Sequence, residues 1–289
     1  SEPCHAVPCH VLQLTNIIES VFIMQTENKK LAPIVVFAFN RLDSLKNCIE
    51  SLKSNTESME SDLVVFVDGP RPHKDGEEQL VKEVRDYVKT ITGFNSLEYF
   101  FSETNRGLAP SVIAGVSEIV ERYGKAIVVE DDLFVAKNFL AFMNEGLTKY
   151  QSNSKVFSIC GYTNRLNNTK GYPYDAYFCT RSSSWGWATW KDRWDSVDWE
   201  LKEWEQHQKN SKNFNRWGGS DCWGMLNGWR EGKNSSWAIR FCYAQFLQDG
   251  LSLFPIISKL GNDGFDGRGT HGKNWTRAKF DFDYGDNKR

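Results

Sequence analysis

Apolar residues in the first half of the chain fall into short runs that alternate with amphipathic stretches. Residues 33–39 (PIVVFAF) form a continuous apolar run of strand length. Residues 43–54 follow with Leu45, Ile49 and Leu52 on one helical face, and Asp43 or Ser44 can cap the start. Residues 62–68 (DLVVFVD) predict a second strand, and 76–90 a helix through Leu80, Val84, Tyr87 and Val88 that stops near Gly93. Residues 96–102 (SLEYFFS) predict a third strand. Pro110 opens a helix carrying Val112, Ile113, Val116, Ile119, Val120 and Tyr123, with Gly124 where a C′ glycine belongs. A fourth strand at 126–130 (AIVVE), a helix near 137–150 and a strand near 155–160 complete the series.

Apolar strands without alternation, separated by helices, predict an α/β fold with a mostly parallel sheet covered on both faces. Such sheets bind ligands beyond the carboxyl ends of their strands. The first strand ends in Asn40-Arg41, the second in Asp68-Gly69 and the fourth in Glu130-Asp131-Asp132, so polar and charged groups gather at one edge. The second half reads differently. All eleven tryptophans lie between Trp185 and Trp275, periodicity weakens, and Gly and Asn rise. Residues 160–275 are expected to form a less regular lobe on the same sheet. The expected organisation is an N-terminal extension over 1–30, one domain over 31–275 with halves at 31–160 and 161–275, and a polar tail over 276–289.

The 289 residues suffice for a sizeable core, and the net charge of −2 argues against a nucleic-acid partner. Seven cysteines at 4, 9, 48, 160, 179, 222 and 242 are an odd, scattered set, which points to reduced thiols and a cytoplasmic setting. Cys4-His5 and Cys9-His10 lack a second ligand pair with zinc-finger spacing. No run of about 18 apolar residues predicts a membrane span. Residues 11–23 are mildly amphipathic and leave peripheral membrane contact open, although they carry no Lys or Arg. The start lacks the pattern of a signal peptide, and Met24 reads as a natural start after an extension.

Glu130-Asp131-Asp132 is the chemically pointed segment. A carboxylate at a strand end can hold Mn²⁺ or Mg²⁺ through one or two oxygens while diphosphate oxygens complete the shell. The bound cation would offset charge on a departing diphosphate. VVEDDL followed by an apolar helix resembles the divalent-metal motif of the GT-A glycosyltransferases, nearest to the animal N-acetylglucosaminyltransferase I group and its bacterial relatives. VFAFNR, VFVDGPR and NRGL match in order and spacing, and the resemblance covers roughly residues 33–275, weakening beyond 150.

The resemblance implies a GT-A fold and inverting transfer from a UDP-sugar, with UDP-N-acetylglucosamine as the family's suggestion, to a glycan or lipid-linked acceptor in bacterial surface polysaccharide synthesis. It implies Asp132 as direct metal ligand, Asp131 against the ribose or sugar and Glu130 on the sugar hydroxyls. Asp68 would accept from the uracil N3–H, Arg41 would pair with base or phosphate, and Asn105-Arg106-Gly107 would form a donor-side loop. The segment from Ser182 to Trp194 resembles the acceptor side of the bacterial relatives, with Trp185 and Trp187 as acceptor-stacking candidates, while most tryptophans are expected in the core.

The family places an Asp after a tryptophan as catalytic base, and the local match, Trp237-Ala238, has no carboxylate. Asp221, Asp263 and Asp266 are the alternatives. Asp266, inside the loop Gly261–Gly267, is favoured because such a loop can close over bound donor. His271 is a candidate second ligand to metal or diphosphate. Residues 267–274 (GRGTHGKN) miss the hydroxyl of a P-loop, and no G-x-G-x-x-G follows the first strand. The rivals are a sugar nucleotidyltransferase, for which FNRLDSL lacks the glycine-rich loop, and a non-catalytic sugar-binding protein, which Ala238 keeps open.

Overall fold

All five residues of the first strand, β1 (Ile34–Ala38), are buried, as a strand covered on both faces requires. The computed structural model describes residues 30–166 and 170–263, and every element below belongs to the unit that begins at Ala32. Strands β2 (Asp62–Val67), β3 (Ser96–Phe101) and β4 (Lys125–Glu130) run parallel to β1. Helices α1 (Leu42–Lys53), α2 (Glu77–Val88) and α3 (Leu108–Tyr123) connect them. The elements of this half lie within two residues of the predicted bounds.

Two details differ or sharpen. Helix α1 begins at Leu42, ahead of Asp43 and Ser44, so neither caps it; Arg41 holds the N-cap position and makes no side-chain cap bond. Gly124 does end α3 in the left-handed region at φ 75°, and its N–H donates to Val120 O at 2.8 Å. A side chain with a Cβ strains that conformation.

The sheet continues into the second half. β6 (Val156–Cys160), β7 (Ala176–Cys179), β8 (Trp187–Trp190) and β9 (Leu251–Pro255) join it in the order β3-β2-β1-β4-β8-β6-β9-β7. Strand β8 pairs antiparallel with β4 and β6, β6 pairs parallel with β9, and β7 is an antiparallel edge. A separate antiparallel pair, β5 (Leu133–Val135) with β10 (Leu260–Asn262), follows β4.

Because side chains alternate across a strand, the core divides between two faces. Ile34, Val36, Leu63, Val65, Ile127 and Val129 pack against α1, α2 and α4 (Phe139–Lys149). Val35, Phe37, Val64 and Val128 pack against α3 and α9 (Trp237–Leu247). On that second face Phe37, Phe66 and Phe100 stack across three strands at centroid distances of 5.3 and 4.8 Å. Gly115 lets α3 lie on them, since a Cβ there would come within 2.9 Å of the Phe37 ring.

The second half adds a third, smaller core, while its tryptophans are shared among all three. Short helices α5 (Lys191–Asp195), α6 (Trp204–Gln208), α7 (Ser211–Gly218) and α8 (Cys222–Arg230) lead to α9. Leu201, Trp204, Phe214, Leu226, Ile239 and Tyr243 fill the space between them. Trp187, Trp190, Trp194, Trp204 and Trp237 are buried, and the indole N–H groups of Trp190 and Trp194 donate to Leu147 O and Ser117 Oγ at 3.1 and 2.8 Å. Buried indoles need such partners. Cys48, Cys160, Cys179, Cys222 and Cys242 are free thiols. No helix of the described residues is long and apolar enough to cross a membrane.

Candidate functional site

The carboxyl ends of β2, β1 and β4 lie side by side, because Ala38 pairs with Val67 and Phe37 pairs with Glu130. Each strand therefore delivers its polar terminus to one rim. From β1, Arg41 turns its guanidinium onto the acidic triplet: Nη2 donates to Asp131 Oδ1 at 2.7 Å and to Asp132 Oδ2 at 3.3 Å. Asp131 Oδ2 also accepts from Phe39 N at 3.2 Å, and its own N–H donates to Phe37 O at 3.0 Å. Two adjacent carboxylates thus share one cation between β1 and β4.

The three acids differ in environment. Asp131 is buried, with a side chain 5% exposed, whereas the Asp132 side chain is 16% exposed and faces the rim. Burial lifts the Asp131 carboxyl to about 6, against the pull of Arg41 and with Asp132 adding to the rise. Burial lifts Glu130 further, to about 8; repulsion from Asp132 and Asp131 adds, and Arg41 opposes. Glu130 keeps a partly open edge although protein atoms surround it closely. A carboxyl held neutral near pH 7 can donate a hydrogen bond as well as accept one.

Asp68 sits among backbone N–H groups at the end of β2. Its Oδ1 accepts from Gly69 N at 2.8 Å and Arg106 N at 2.9 Å, and its Oδ2 accepts from Gly107 N at 2.9 Å. Asn105 Nδ2 returns a bond to Gly69 O at 2.9 Å. The end of β2 and the loop before α3 are therefore clasped together. Gly69 is required for the closeness: a Cβ there would lie 2.4 Å from the carbonyl carbon of Thr104. Arg106 contributes its backbone N–H to the clasp while its side chain is exposed on the rim.

The acceptor-side candidates separate. Trp185 is partly buried and meets Tyr162 edge-on at 4.6 Å between ring centres. Trp187 is 2% exposed and packs among Trp194, Trp237 and Phe241. The acceptor role expected for Trp187 is corrected on that ground: its faces are used by other rings and none is open to a sugar.

Of the base candidates, Asp221 forms a two-pronged pair with Arg181 at 2.8 and 3.0 Å. Hydrogen bonds from Arg181 hold its carboxyl below the usual range, which weakens it as a proton acceptor. Asp263 stands beside the triplet, since its N–H donates to Asp132 O at 2.9 Å. The pairing of β5 with β10 brings it there. Asp266 and His271 lie outside the described residues. Ala238 packs against the core beside α3.

Among the described residues no group of three His, Cys, Asp or Glu side chains converges as a ready metal cage. The rim offers instead the number of carboxylates that Mg²⁺ or Mn²⁺ takes when substrate phosphates complete the shell. The Arg41 guanidinium already rests on those carboxylates as a cation, so the residues fit a positive ion at that place.

A family model described as Glycosyl transferase family 2 matches residues 34–227, more than half of the chain, including Arg41, Asp68 and Glu130-Asp131-Asp132. The chain belongs to glycosyl transferase family 2. Its mixed sheet flanked by helices is accordingly a GT-A fold, with the acidic triplet at the end of β4. No curated protein sequence matches the chain. Among solved structures, a mannosyltransferase from Pyrobaculum calidifontis, in complex with GDP-Man and Mn²⁺, is similar at 10% identity and a TM-score of 0.35, over 62% of this chain and 52% of that one. TarS from S. aureus is similar at 16% identity and a TM-score of 0.32, over 45% of this chain and 21% of that one. The chain thus spans about half the length of the first and about a fifth of the second.

Sequence patterns did not single out Glu77 or Arg71. Glu77 is 2% exposed and receives the guanidinium of Arg71 and the amide of Asn40 at the same rim. A Glu in the first turn of a helix looks like an ordinary dipole partner, so no linear signal marks it. Arg71 stood in the VFVDGPR match, and only the fold shows what holds it.

Proposed function

We propose that this glycosyltransferase is metal-dependent, takes its sugar from a UDP-sugar with inversion, and passes it to a glycan or lipid-linked acceptor. The observation that carries the metal reading is the shared cation on Asp131 and Asp132 at the carboxyl end of the sheet. The resemblance of VVEDDL and VFVDGPR supports UDP as carrier, UDP-N-acetylglucosamine as the first donor to test, and bacterial surface polysaccharide synthesis as the setting.

Asp132, the more open of the pair, would hold Mn²⁺ or Mg²⁺, which when bound supplies charge compensation to the diphosphate leaving group. Asp131, paired with Arg41 and Phe39 N, keeps the rim in register and would lie against the ribose or sugar of the donor. When a metal ion takes over the charge of Asp132, the Arg41 guanidinium keeps its bond to Asp131 and can offer its remaining N–H groups to a phosphate, for which its planar fork is suited. Glu130, at the partly open end of β4, would hydrogen-bond hydroxyls of the transferred sugar. Asp68 sets the β2 rim through its backbone clasp and offers its remaining lone pair to the base. Asp266, three residues beyond the Asp263 that touches Asp132, is the proposed base, and His271 a further donor-side ligand. Trp185 is the acceptor-side stacking residue.

Titration calorimetry with UDP, with and without Mn²⁺, followed by UDP-sugar hydrolysis, tests this reading. Metal-dependent UDP binding with turnover is the expected result. UDP binding of equal strength without metal refutes the metal reading. Binding without turnover across an acceptor panel favours a transferase descendant that lost its base, the reading that Ala238 supports.

A further inference from the structure

Glu77 is a buried carboxylate that nothing above uses. It is the first residue of α2 and closes over the rim at the end of β2. Its Oε1 accepts from Asn40 Nδ2 at 3.1 Å and from Arg71 Nε at 3.1 Å. Its Oε2 accepts from Arg71 N at 2.8 Å and Arg71 Nε at 3.0 Å, and Arg71 Nη2 also donates to Oε1. The Glu77 side chain is 2% exposed, while that of Arg71 remains 52% exposed. The guanidinium carbon lies 5.5 Å from the centre of the Phe39 ring. Phe39 in turn donates its N–H to Asp131. A carboxylate removed from water therefore locks a half-open arginine in one place, on an aromatic ring that belongs to the rim.

The position within the rim matters. Asp132 closes β4, Arg41 follows β1 and Arg71 follows β2, in neighbouring strands. Adjacent strands are about 4.8 Å apart. The strand that leads to Arg71 is thus separated by β1 from the strand that carries the acids, about two strand spacings or roughly 10 Å across the sheet, a span comparable to that from the diphosphate to the base of a nucleotide. Asp68, the other group at the end of β2, spends most of its carboxylate on backbone N–H groups. Arg71 is half-exposed, and its contacts to Glu77 use Nε and Nη2, leaving Nη1 outside that fork. A planar guanidinium packs well on an aromatic base.

We propose that Arg71 binds the nucleobase end of the sugar nucleotide and that Glu77 is the positioning residue that holds it there. The inference rests on the UDP-sugar reading above and adds a specificity-determining contact to it.

The test compares two probes on the full chain in Mn²⁺: UDP and inorganic pyrophosphate. Arg71→Ala is expected to weaken UDP at least tenfold and leave pyrophosphate unchanged, because the side chain meets the base and not the phosphates. Arg71→Lys keeps the charge, loses the plane and does not restore binding. Glu77→Gln is expected to lower UDP affinity several-fold at constant pyrophosphate affinity, and to have no added effect on UDP in the Arg71→Ala background, since it acts through Arg71. A purely structural Glu77 would lower the melting temperature and leave the ratio of the two affinities unchanged. UDP binding of Arg71→Ala at wild-type strength, or equal losses of UDP and pyrophosphate, overturns the inference alone. A wild type that does not bind UDP removes the donor reading and this inference with it.

Discussion

Replacing Asp68 by Asn removes one charge and one acceptor from the clasp between β2 and the loop before α3. In the wild type three backbone N–H groups, of Gly69, Arg106 and Gly107, point at the carboxylate at 2.8 to 2.9 Å. An amide of the same shape can place its oxygen where Oδ1 stands and satisfy the first two. Its NH₂ then faces Gly107 N–H, donor against donor. A hydrogen bond to a charged group contributes about 1.5–3 kcal/mol. The lost bond and the weakening of the other two set the ceiling, and water reaching the exposed Arg106 lowers it. The expected destabilisation is about 1–3 kcal/mol, which for a chain of this size corresponds to roughly 2–4 °C in melting temperature per kcal/mol. Urea denaturation without nucleotide measures it. If Asp68→Asn is as stable as the wild type within about 0.5 kcal/mol and only UDP binding is lost, the clasp is not what the carboxylate is for.

Four further outcomes are expected. Asp132→Ala abolishes Mn²⁺-dependent UDP binding in calorimetry while its far-UV circular dichroism matches the wild type; unchanged binding refutes the metal assignment. Arg41→Ala removes the cation from Asp131 and Asp132, so Mn²⁺ alone binds more tightly and UDP more weakly, with opposite signs in two titrations of one variant. Trp187→Ala, in the core between β8 and α9, costs about 3–5 kcal/mol by denaturation, and the surviving folded fraction shows no selective change in acceptor affinity. Hydrogen bonds from Arg71 hold the Glu77 carboxyl below its ordinary value of 4.5. A depressed carboxylate adds stability that is fully present above the unfolded value and is lost as pH falls through the folded one. Glu77→Gln should therefore flatten the acid limb of the stability–pH curve below about 4.5 and leave the neutral region with a constant offset; an unchanged acid limb contradicts the pairing.

The apolar runs at 33–39, 62–68, 96–102 and 126–130 determined the strands, because a strand buried on both faces must be apolar at every position, and that signal is local. The amphipathic stretches between them determined the helices for the same reason. Together they placed Arg41, Asp68 and Glu130-Asp131-Asp132 at strand ends and so at one rim. The weaker periodicity after 160 reflects α5–α8, which are too short to complete a periodic face and pack through tryptophan contacts distant in sequence.

Tertiary structure alone decided how the rim residues are used. Asp68 binds backbone groups that lie 38 and 39 residues away, which no local pattern encodes. Trp185 and Trp187 are equivalent in sequence, two residues apart, yet one meets Tyr162 at a partly open position and the other is enclosed by three aromatic neighbours. Glu77 became part of the site only when the loop from Asp68 to Gly76 folded it over Arg71 and Asn40. Strand and helix follow from which residues seek burial; the partner of a buried charge depends on what the finished fold brings within about 3 Å of it.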